Sequence, residues 1–385
     1  MFLNSQIFST VCRRTDSLKV ITPSLTNAPP DARHRVPRYL FRAFSRGSRD
    51  GLRANNDAHI HPDDTNWPYP AFGDAAGTQH TLDQHLTWCT AHASEFTSWT
   101  SSLLCALRHA MRKAYLWREP SATVFIAVLD TANFALPVWP ATALFDAYRL
   151  KPRENFLRHY YVGEYLVRGG VSAAGTEFRV ASLDRLRDAG LHGLLPELFG
   201  PGADRATPKL ACRIRDDRDD LCRPYRLKPL TRREMALCRR LGECFAEGER
   251  GGGFVFPVAA AFLALRQWAD LFGEENSGRA VLEREILDEL EGLELPDGLG
   301  GEEDFRGVSE SHSRYIPEEA TLFRTLCQRL IACSRDERTG DREPDDGERD
   351  GVQDRTDPAE NDVTAHISEL SSSVNPFLAM VERRG

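Results

Sequence analysis

The sequence lacks several patterns that would place it in a familiar class. None of its nine cysteines forms a Cys-x-x-Cys pair, and an odd number does not suit the disulfide framework of a small secreted protein. Reduced thiols in an intracellular protein, cytoplasmic or nuclear, are therefore expected. The glycine-rich stretch GERGGGF has no following Gly-Lys-Ser/Thr, which excludes a P-loop.

Long hydrophobic runs and basic segments are also missing. The longest apolar run, FVFPVAAAFLAL, is too short to cross a bilayer and contains Pro257, so we expect a buried helix there. The beginning of the chain has no charged n-region, which argues against a secretory signal; it contains Ser and Arg and few acids, which leaves a mitochondrial presequence open. The net charge of −8 favours neither nucleic acid nor an anionic membrane as a partner.

The sequence does have enough apolar residues for a core, because 41% of its 385 residues are hydrophobic. Shifts in composition divide it into five parts. We predict a disordered leader over 1–35, an α+β domain over 36–200, a Pro-, Arg- and Asp-rich linker over 201–229, a helical region over 230–334, and an acidic, mostly disordered tail over 335–385.

Strand-like and helix-like segments alternate in the predicted α+β domain. The predicted strands are YLFRAFS, EFTSWTS, ATVFIAVLD, YYVGEYLV and EFRVASL. The predicted helices are TLDQHLTWCTAHA, SLLCALRHAMRKAYL and a short helix capped by Ser182. Further along, we predict a helix with a Thr231–Glu234 capping box, a helix with Pro257 in its first turn, and helices around Ala280–Leu293 and Pro317–Ile331.

Three polar features interrupt these apolar segments. Arg42 lies inside the first strand, Ser98 and Thr100 lie at the end of the second, and Glu164 lies in the apolar run YYVGEYLVRGGVS. Each has an ordinary structural interpretation: a surface arginine, an N-cap supplied by Ser101 or Ser102, and a glutamate that faces water.

Taken in order, the three stretches resemble the motifs of the ADP-ribosyltransferase superfamily, and most closely the catalytic chain of cholera toxin and the heat-labile enterotoxins. LFRAFSRGSRDGLR resembles the first-strand arginine motif, and SWTSSLLCA resembles the Ser-Thr-Ser motif with its helix. EYLVRGGVS resembles the motif of glutamate, apolar strand and Gly-Gly turn. The resemblance covers about residues 38–185. The domain is also similar to an uncharacterised fungal domain family without an assigned activity.

The resemblance implies an ADP-ribosyltransferase-like split antiparallel sheet with flanking helices, and NAD as the substrate. Cleavage of the nicotinamide–ribose bond makes the ribose cationic, so a fixed carboxylate stabilises the transition state. Glu164 is the implied carboxylate, and Ser98 is implied to hydrogen-bond it. The cofactor-binding residues implied are Arg42, Ser98, Thr100, and Tyr160 or Tyr161. No metal is implied.

Two positions differ from the family's pattern. Members that modify arginine have a second glutamate two residues before the first, where this chain has Val162. Trp99 occupies the centre of the Ser-Thr-Ser motif. Two functions are therefore carried forward: an NAD ADP-ribosyltransferase or NAD glycohydrolase with a protein acceptor or water, and a catalytically inactive module that binds a protein partner.

Two other groups of residues were weighed as sites. His85, Cys89 and His92 share one face of a predicted helix, which zinc would accept, but Leu82 and Leu86 lie on the same stripe and favour a packed face. Asp130 ends an apolar strand. A residue at this place can contact a ligand, but it more often starts a turn, which is the interpretation favoured here.

Overall fold

The computed structural model describes residues 36–48, 55–62, 75–87, 94–132, 134, 136–150, 161–172, 178–199, 214, 217, 230–246, 252–266, 286, 288, 323 and 326–328. The chain divides into two units, Met1–Thr339 and Gly340–Gly385, and every described residue lies in the first. The predicted leader and acidic tail, nearly all of the predicted linker, and most of the last two predicted helices lie outside the described residues.

The described strands form one large sheet and one small one. They are β1 (Tyr39–Ser45), β2 (His59–Ile60), β3 (Phe96–Thr100), β4 (Val124–Asp130), β5 (Val138–Pro140), β6 (Glu164–Arg168), β7 (Val171–Ser172) and β8 (Phe178–Ser182). Six of them make an antiparallel sheet in the order β5-β6-β3-β1-β4-β8, while β2 pairs with β7. The mixed α+β class predicted from the sequence is confirmed.

Strand pairing is uneven across the large sheet. β1 pairs with β4 at all seven of its positions, whereas its recorded register with β3 is the single pair Phe41↔Thr100. β3 pairs with β6 at five positions. The two halves of the sheet, β4 with β8 and β5 with β6, are therefore joined through a narrow junction between β1 and β3.

Helices pack against the sheet and against each other. They are α1 (Ala75–Leu86), α2 (Leu103–Met111), α3 (Ala141–Ala147), α4 (Leu183–Asp188), α5 (Leu191–Leu194), α6 (Arg232–Glu243) and α7 (Gly252–Ala264). A π-helical segment, Arg112–Leu116, continues α2, and 3₁₀ turns occupy Ser121–Thr123 and Pro196–Phe199.

Helix caps follow the sequence closely. Ser102, one of the two predicted candidates, caps α2 by accepting a bond from the Cys105 N–H. Ser182 caps α4, and Thr231 and Glu234 form the predicted capping box of α6. The prediction for α7 is wrong at its start, because the helix begins at Gly252 and Pro257 lies inside it.

Period-two alternation divides the strand side chains between two cores. On β1, Tyr39 and Phe41 join α2, α4, α6 and α7 in one apolar cluster, while Leu40 and Phe44 join β2, β6 and β7 in another. A third cluster packs α1 and α3 against β3 and β6. The predicted buried helix is confirmed, since α7 is apolar on all sides and buried from Phe254 onwards. Among the described residues, no helix is long and apolar enough to span a bilayer.

A buried ion pair ties α2 to a residue outside the sheet. Arg108 donates to both carboxylate oxygens of Asp217, with Nη2 2.6 Å from Oδ1, and its Nη1 donates to the Leu198 carbonyl at 3.0 Å. Sequence periodicity puts Arg108 opposite the apolar face of its helix, yet both partners are buried. The guanidinium donates two hydrogen bonds to the buried carboxylate of Asp217. These bonds offset the cost of burying both charges in a medium of low dielectric constant.

Candidate active site

The glutamate inside YYVGEYLV begins a strand and does not lie in the middle of one. Tyr161, Val162 and Gly163 form a turn, and β6 starts at Glu164. Gly163 has φ 83°, a left-handed conformation that favours glycine, and its carbonyl accepts from the Ser101 N–H at 2.9 Å. This turn fixes Glu164 at the entrance to α2.

Antiparallel pairing brings the serine and the glutamate together. Thr100 lies opposite Glu164, so Ser98, Thr100 and Glu164 share one face of neighbouring strands. The Ser98 hydroxyl donates to Glu164 Oε1 at 2.8 Å, which is the hydrogen bond that the resemblance implies. This hydrogen bond, which has the usual O–H···O length, holds the carboxyl group of Glu164 in one orientation.

Arg42 reaches the same place from the other side of the narrow junction. Its Nη1 donates to the Ser98 carbonyl oxygen at 2.7 Å, and its charge stabilises the ionised form of Glu164. The guanidinium thus bridges β1 and β3 where their ladder has little pairing. Arg42, Ser98 and Glu164, which are far apart in the sequence, form one connected group.

His85 is a fourth member of this group, and the sequence did not single it out for this role. It lies at the end of α1, with Nε2 2.8 Å from the Ser98 hydroxyl and its ring edge-on to Phe96, the centroids 6.0 Å apart. Burial, together with the charge of Arg42, lowers the pKa of His85 to about 4, so the ring is neutral at neutral pH. Because Ser98 donates its only hydroxyl proton to Glu164, His85 must be the donor to Ser98, which assigns the proton to Nε2.

Burial and polar contacts act on Glu164 in opposite directions. Desolvation raises the pKa of Glu164, while the Ser98 hydrogen bond and the Arg42 charge lower it, and burial has the largest effect. The residue as a whole is half-buried. A partly desolvated carboxylate with fixed donors can stabilise a positive charge that forms beside it.

The remaining predicted site residues have other environments. The Thr100 hydroxyl accepts from the Ser102 N–H at 3.1 Å and shapes the entry to α2. Tyr161 is buried, its hydroxyl donates to the Leu86 carbonyl at 2.7 Å, and its ring packs on Phe145. Tyr160 lies outside the described residues.

Trp99 lies away from the group formed by Ser98 and Glu164. Strand alternation turns its side chain to the opposite face, where it is buried in the core and its Nε1 donates to the Thr97 hydroxyl at 3.1 Å. The tryptophan at the centre of the serine motif therefore fills core volume and does not crowd the group.

The other candidate sites of the sequence are described only in part. Leu82 and Leu86 are fully buried, as a packed face of α1 requires, while Cys89 and His92 lie outside the described residues. Within the described part of the chain, no three potential ligands gather to hold a metal ion. Asp130 is paired with Arg38 and accepts from the Ala132 N–H at 2.9 Å, as expected at the start of a turn.

The Gly-Gly turn after β6 directs the chain into the small sheet. Gly169 has φ 88°, and a Cβ added to Gly170 would overlap the His61 ring. Val171 then pairs with Ile60. Both glycines are needed for the tight passage between β6 and β7 beside the site.

Glu164→Gln is expected to raise stability at neutral pH. Because burial raises the pKa of Glu164 above the usual 4.5, the folded protein binds this proton more tightly than the unfolded chain does, and stability falls as pH rises through the folded-state pKa. The amide is not subject to this loss. Melting temperatures measured between pH 4 and 8 should show a difference between Glu164→Gln and the wild type that grows with pH. Glu197→Gln, at an exposed glutamate, is the control. A wild type more stable than Glu164→Gln at pH 8 would contradict the assignment.

The fold and the connected group define a mixed α+β domain with a polar Arg–Ser–His–Glu site at the junction of its antiparallel sheet. Residues 35–175 match the model of a family described as a domain of unknown function, DUF7587. That range contains all four members of the group. No curated protein and no solved structure matches the chain.

Proposed function

We propose that this chain cleaves NAD at the nicotinamide–ribose bond, as an NAD glycohydrolase or an ADP-ribosyltransferase. The observation that carries the proposal is the bond from Ser98 to Glu164 beside the guanidinium of Arg42. We also propose that the six-stranded sheet, narrow between β1 and β3, is an ADP-ribosyltransferase-like split sheet, and that the reaction takes place inside the cell.

The reaction requires no redox step. The bond between ribose C1′ and the nicotinamide nitrogen breaks, and nicotinamide leaves with the bonding pair, which neutralises its pyridinium charge. The ribose becomes oxocarbenium-like until a nucleophile attacks C1′. With water as the nucleophile, the products are nicotinamide, ADP-ribose and one proton.

Each member of the group has a role in this scheme. Glu164 holds its charge beside the cationic ribose and accepts a hydrogen bond from a ribose hydroxyl, so it acts most strongly in the transition state. Arg42 supplies donors to phosphate or ribose oxygens. Ser98 and the neutral His85 are positioning residues that keep the carboxylate in place.

The neighbouring residues favour water over an arginine acceptor. The side chain two positions before Glu164 is that of Val162, which offers no second carboxylate to deprotonate a guanidinium. Hydrolysis needs only a weak nucleophile next to a strongly electrophilic carbon. A protein acceptor with another side chain remains the second form of the same reaction.

Nicotinamide release from NAD by the full chain tests the proposal. Chromatography should show equal amounts of nicotinamide and ADP-ribose, or modified protein in place of free ADP-ribose. Ser98→Ala is expected to slow release by roughly tenfold to a hundredfold, because the carboxylate loses its fixed orientation. Ser121→Ala is the matched control, since Ser121 donates to a carboxylate, Asp184, at the same 2.8 Å elsewhere in the chain.

A chain that neither binds NAD nor releases nicotinamide would contradict the proposal. The inactive module that binds a protein partner would then describe the chain better.

A further inference from the structure

The end of α2 and its π-helical continuation carry several histidine, arginine and lysine side chains next to β1. His109, Arg112 and Lys113 lie at i, i+3 and i+4, so they project from one side of the helix. π-Helical segments widen a helix by one residue per turn and are frequent at functional sites. This side of the helix faces the loop that follows β1.

The contact between this helix and the loop is specific. Lys113 is 8% exposed and its Nζ donates to the Ser48 hydroxyl at 3.1 Å. Glu119 accepts from the Ser45 hydroxyl at 2.9 Å and from the Gly47 N–H at 2.8 Å. Both oxygens of Glu119 are thus engaged in holding the loop.

Positive charge accumulates between this helix and Arg42. Burial lowers the pKa of His109 to about 3, with further contributions from Lys113, Arg112 and Arg42. Burial also lowers the pKa of Lys113, which Glu119 partly offsets and Arg42 reinforces. Three cations thus act on one neutral imidazole, while the carboxylates of Glu119 and Glu164 act on Lys113 and Arg42. The cations outnumber the carboxylates by one, so the surroundings favour an anion.

An exposed aromatic ring stands beside the same lysine. Trp117 is 51% exposed and Leu116 40%, the exposed large apolar side chains among the described residues. Lys113 Nζ lies 4.8 Å from the centroid of the Trp117 ring. Arg118 follows with φ 57°, a left-handed conformation that turns the chain directly after the ring.

We propose that Arg42, Arg112, Lys113 and Trp117 form a subsite for the ADP part of a dinucleotide, with the cations on the pyrophosphate and the adenine stacked on Trp117. A polyanion next to a flat ring is the chemistry of a nucleotide, and the Lys113 ammonium, 4.8 Å from the centroid of the Trp117 ring, brings a cation and a stacking surface together. The identity of the dinucleotide rests on the proposed function; the subsite itself does not.

Calorimetry on the full chain with two probes, ADP and inorganic pyrophosphate, separates the two halves of the subsite. Lys113→Gln should weaken both probes by about tenfold or more, because each loses a charged partner, and Lys113→Arg should recover most of that loss. Trp117→Ala should weaken ADP by about tenfold and leave pyrophosphate unchanged, because only ADP has a base to stack. Arg187→Gln, which removes an exposed positive charge from α4, is the matched control and should change neither.

Wild-type protein that binds neither probe, or variants that bind both as the wild type does, would overturn the subsite. If an acidic peptide is the true occupant, pyrophosphate binding should depend on Lys113 and ADP binding should not depend on Trp117, which also overturns the subsite. If the chain binds ADP through Lys113 and Trp117 but releases no nicotinamide, the subsite stands and the proposal of NAD cleavage falls. If the wild type releases nicotinamide and the KM for NAD is unchanged in Lys113→Gln and Trp117→Ala, NAD cleavage stands and the subsite falls.

Discussion

Glu164→Gln is expected to reduce nicotinamide release from NAD by roughly a hundredfold to a thousandfold, the range found when one preorganised electrostatic contact is removed from an active site. Glutamine keeps the shape of the side chain and can still accept from Ser98, so only the negative charge is lost. Because that charge interacts more strongly with an oxocarbenium-like ribose than with intact NAD, kcat should fall far more than KM rises.

The same variant supplies its own check on folding. The pH argument above expects Glu164→Gln to melt at a higher temperature than the wild type at neutral pH, so a loss of activity cannot be assigned to unfolding. Glu197→Gln, an exposed glutamate after α5, should retain full activity. A Glu164→Gln protein that releases nicotinamide within threefold of the wild-type rate would end the proposed role of this carboxylate.

Arg108→Met is expected to cost about 3–5 kcal/mol of unfolding free energy, the cost typical of leaving one partner of a buried ion pair alone. Asp217 would remain buried without its guanidinium fork, and the Leu198 carbonyl would lose its donor. Urea denaturation monitored by tryptophan fluorescence measures the change through the midpoint at constant slope.

An exposed pair is the control for this experiment. Arg239 and Glu243 are ion-paired at 3.2 Å on α6 with side chains 32% and 49% exposed, so Arg239→Met should cost under about 1 kcal/mol. The double variant Arg108→Met/Asp217→Leu should recover a large part of the loss, because it removes both charges. A single Arg108→Met variant as stable as Arg239→Met would show that burial of the pair has no energetic weight.

Local patterns predicted the parts of the fold that depend on local physics. β1 has the predicted bounds because YLFRAFS alternates between two buried faces, and the caps at Ser182 and Thr231 follow from side chains that bond their own helix. The predicted start of α7 was wrong because Gly252 and Gly253, which disfavour a helix, form its first turn, and Pro257, which favours a first turn, lies inside it. Burial of an entirely apolar helix outweighed both preferences.

The candidate site was partly accessible to sequence reasoning. Arg42, Ser98 and Glu164 stood out as polar residues in apolar strands, and their meeting depends on a strand order that no local pattern encodes. His85 was hidden because its stripe also contains Leu82 and Leu86, and a histidine on such a stripe usually packs. Its contact with Ser98 arises only when α1 docks on β3. Asp217 was hidden for the same reason, since its partner is 109 residues away.

The narrow junction between β1 and β3 has a mechanical consequence. Among the described residues, the backbone pair of Phe41 with Thr100 and the bond from Arg42 to the Ser98 carbonyl both link the two sides of the sheet at the site. In the proposed function, a substrate phosphate that takes the guanidinium from the Ser98 carbonyl would weaken this link. The spacing of β1 and β3 at the site would then depend on this exchange, while the seven-position ladder of β1 with β4 keeps its register.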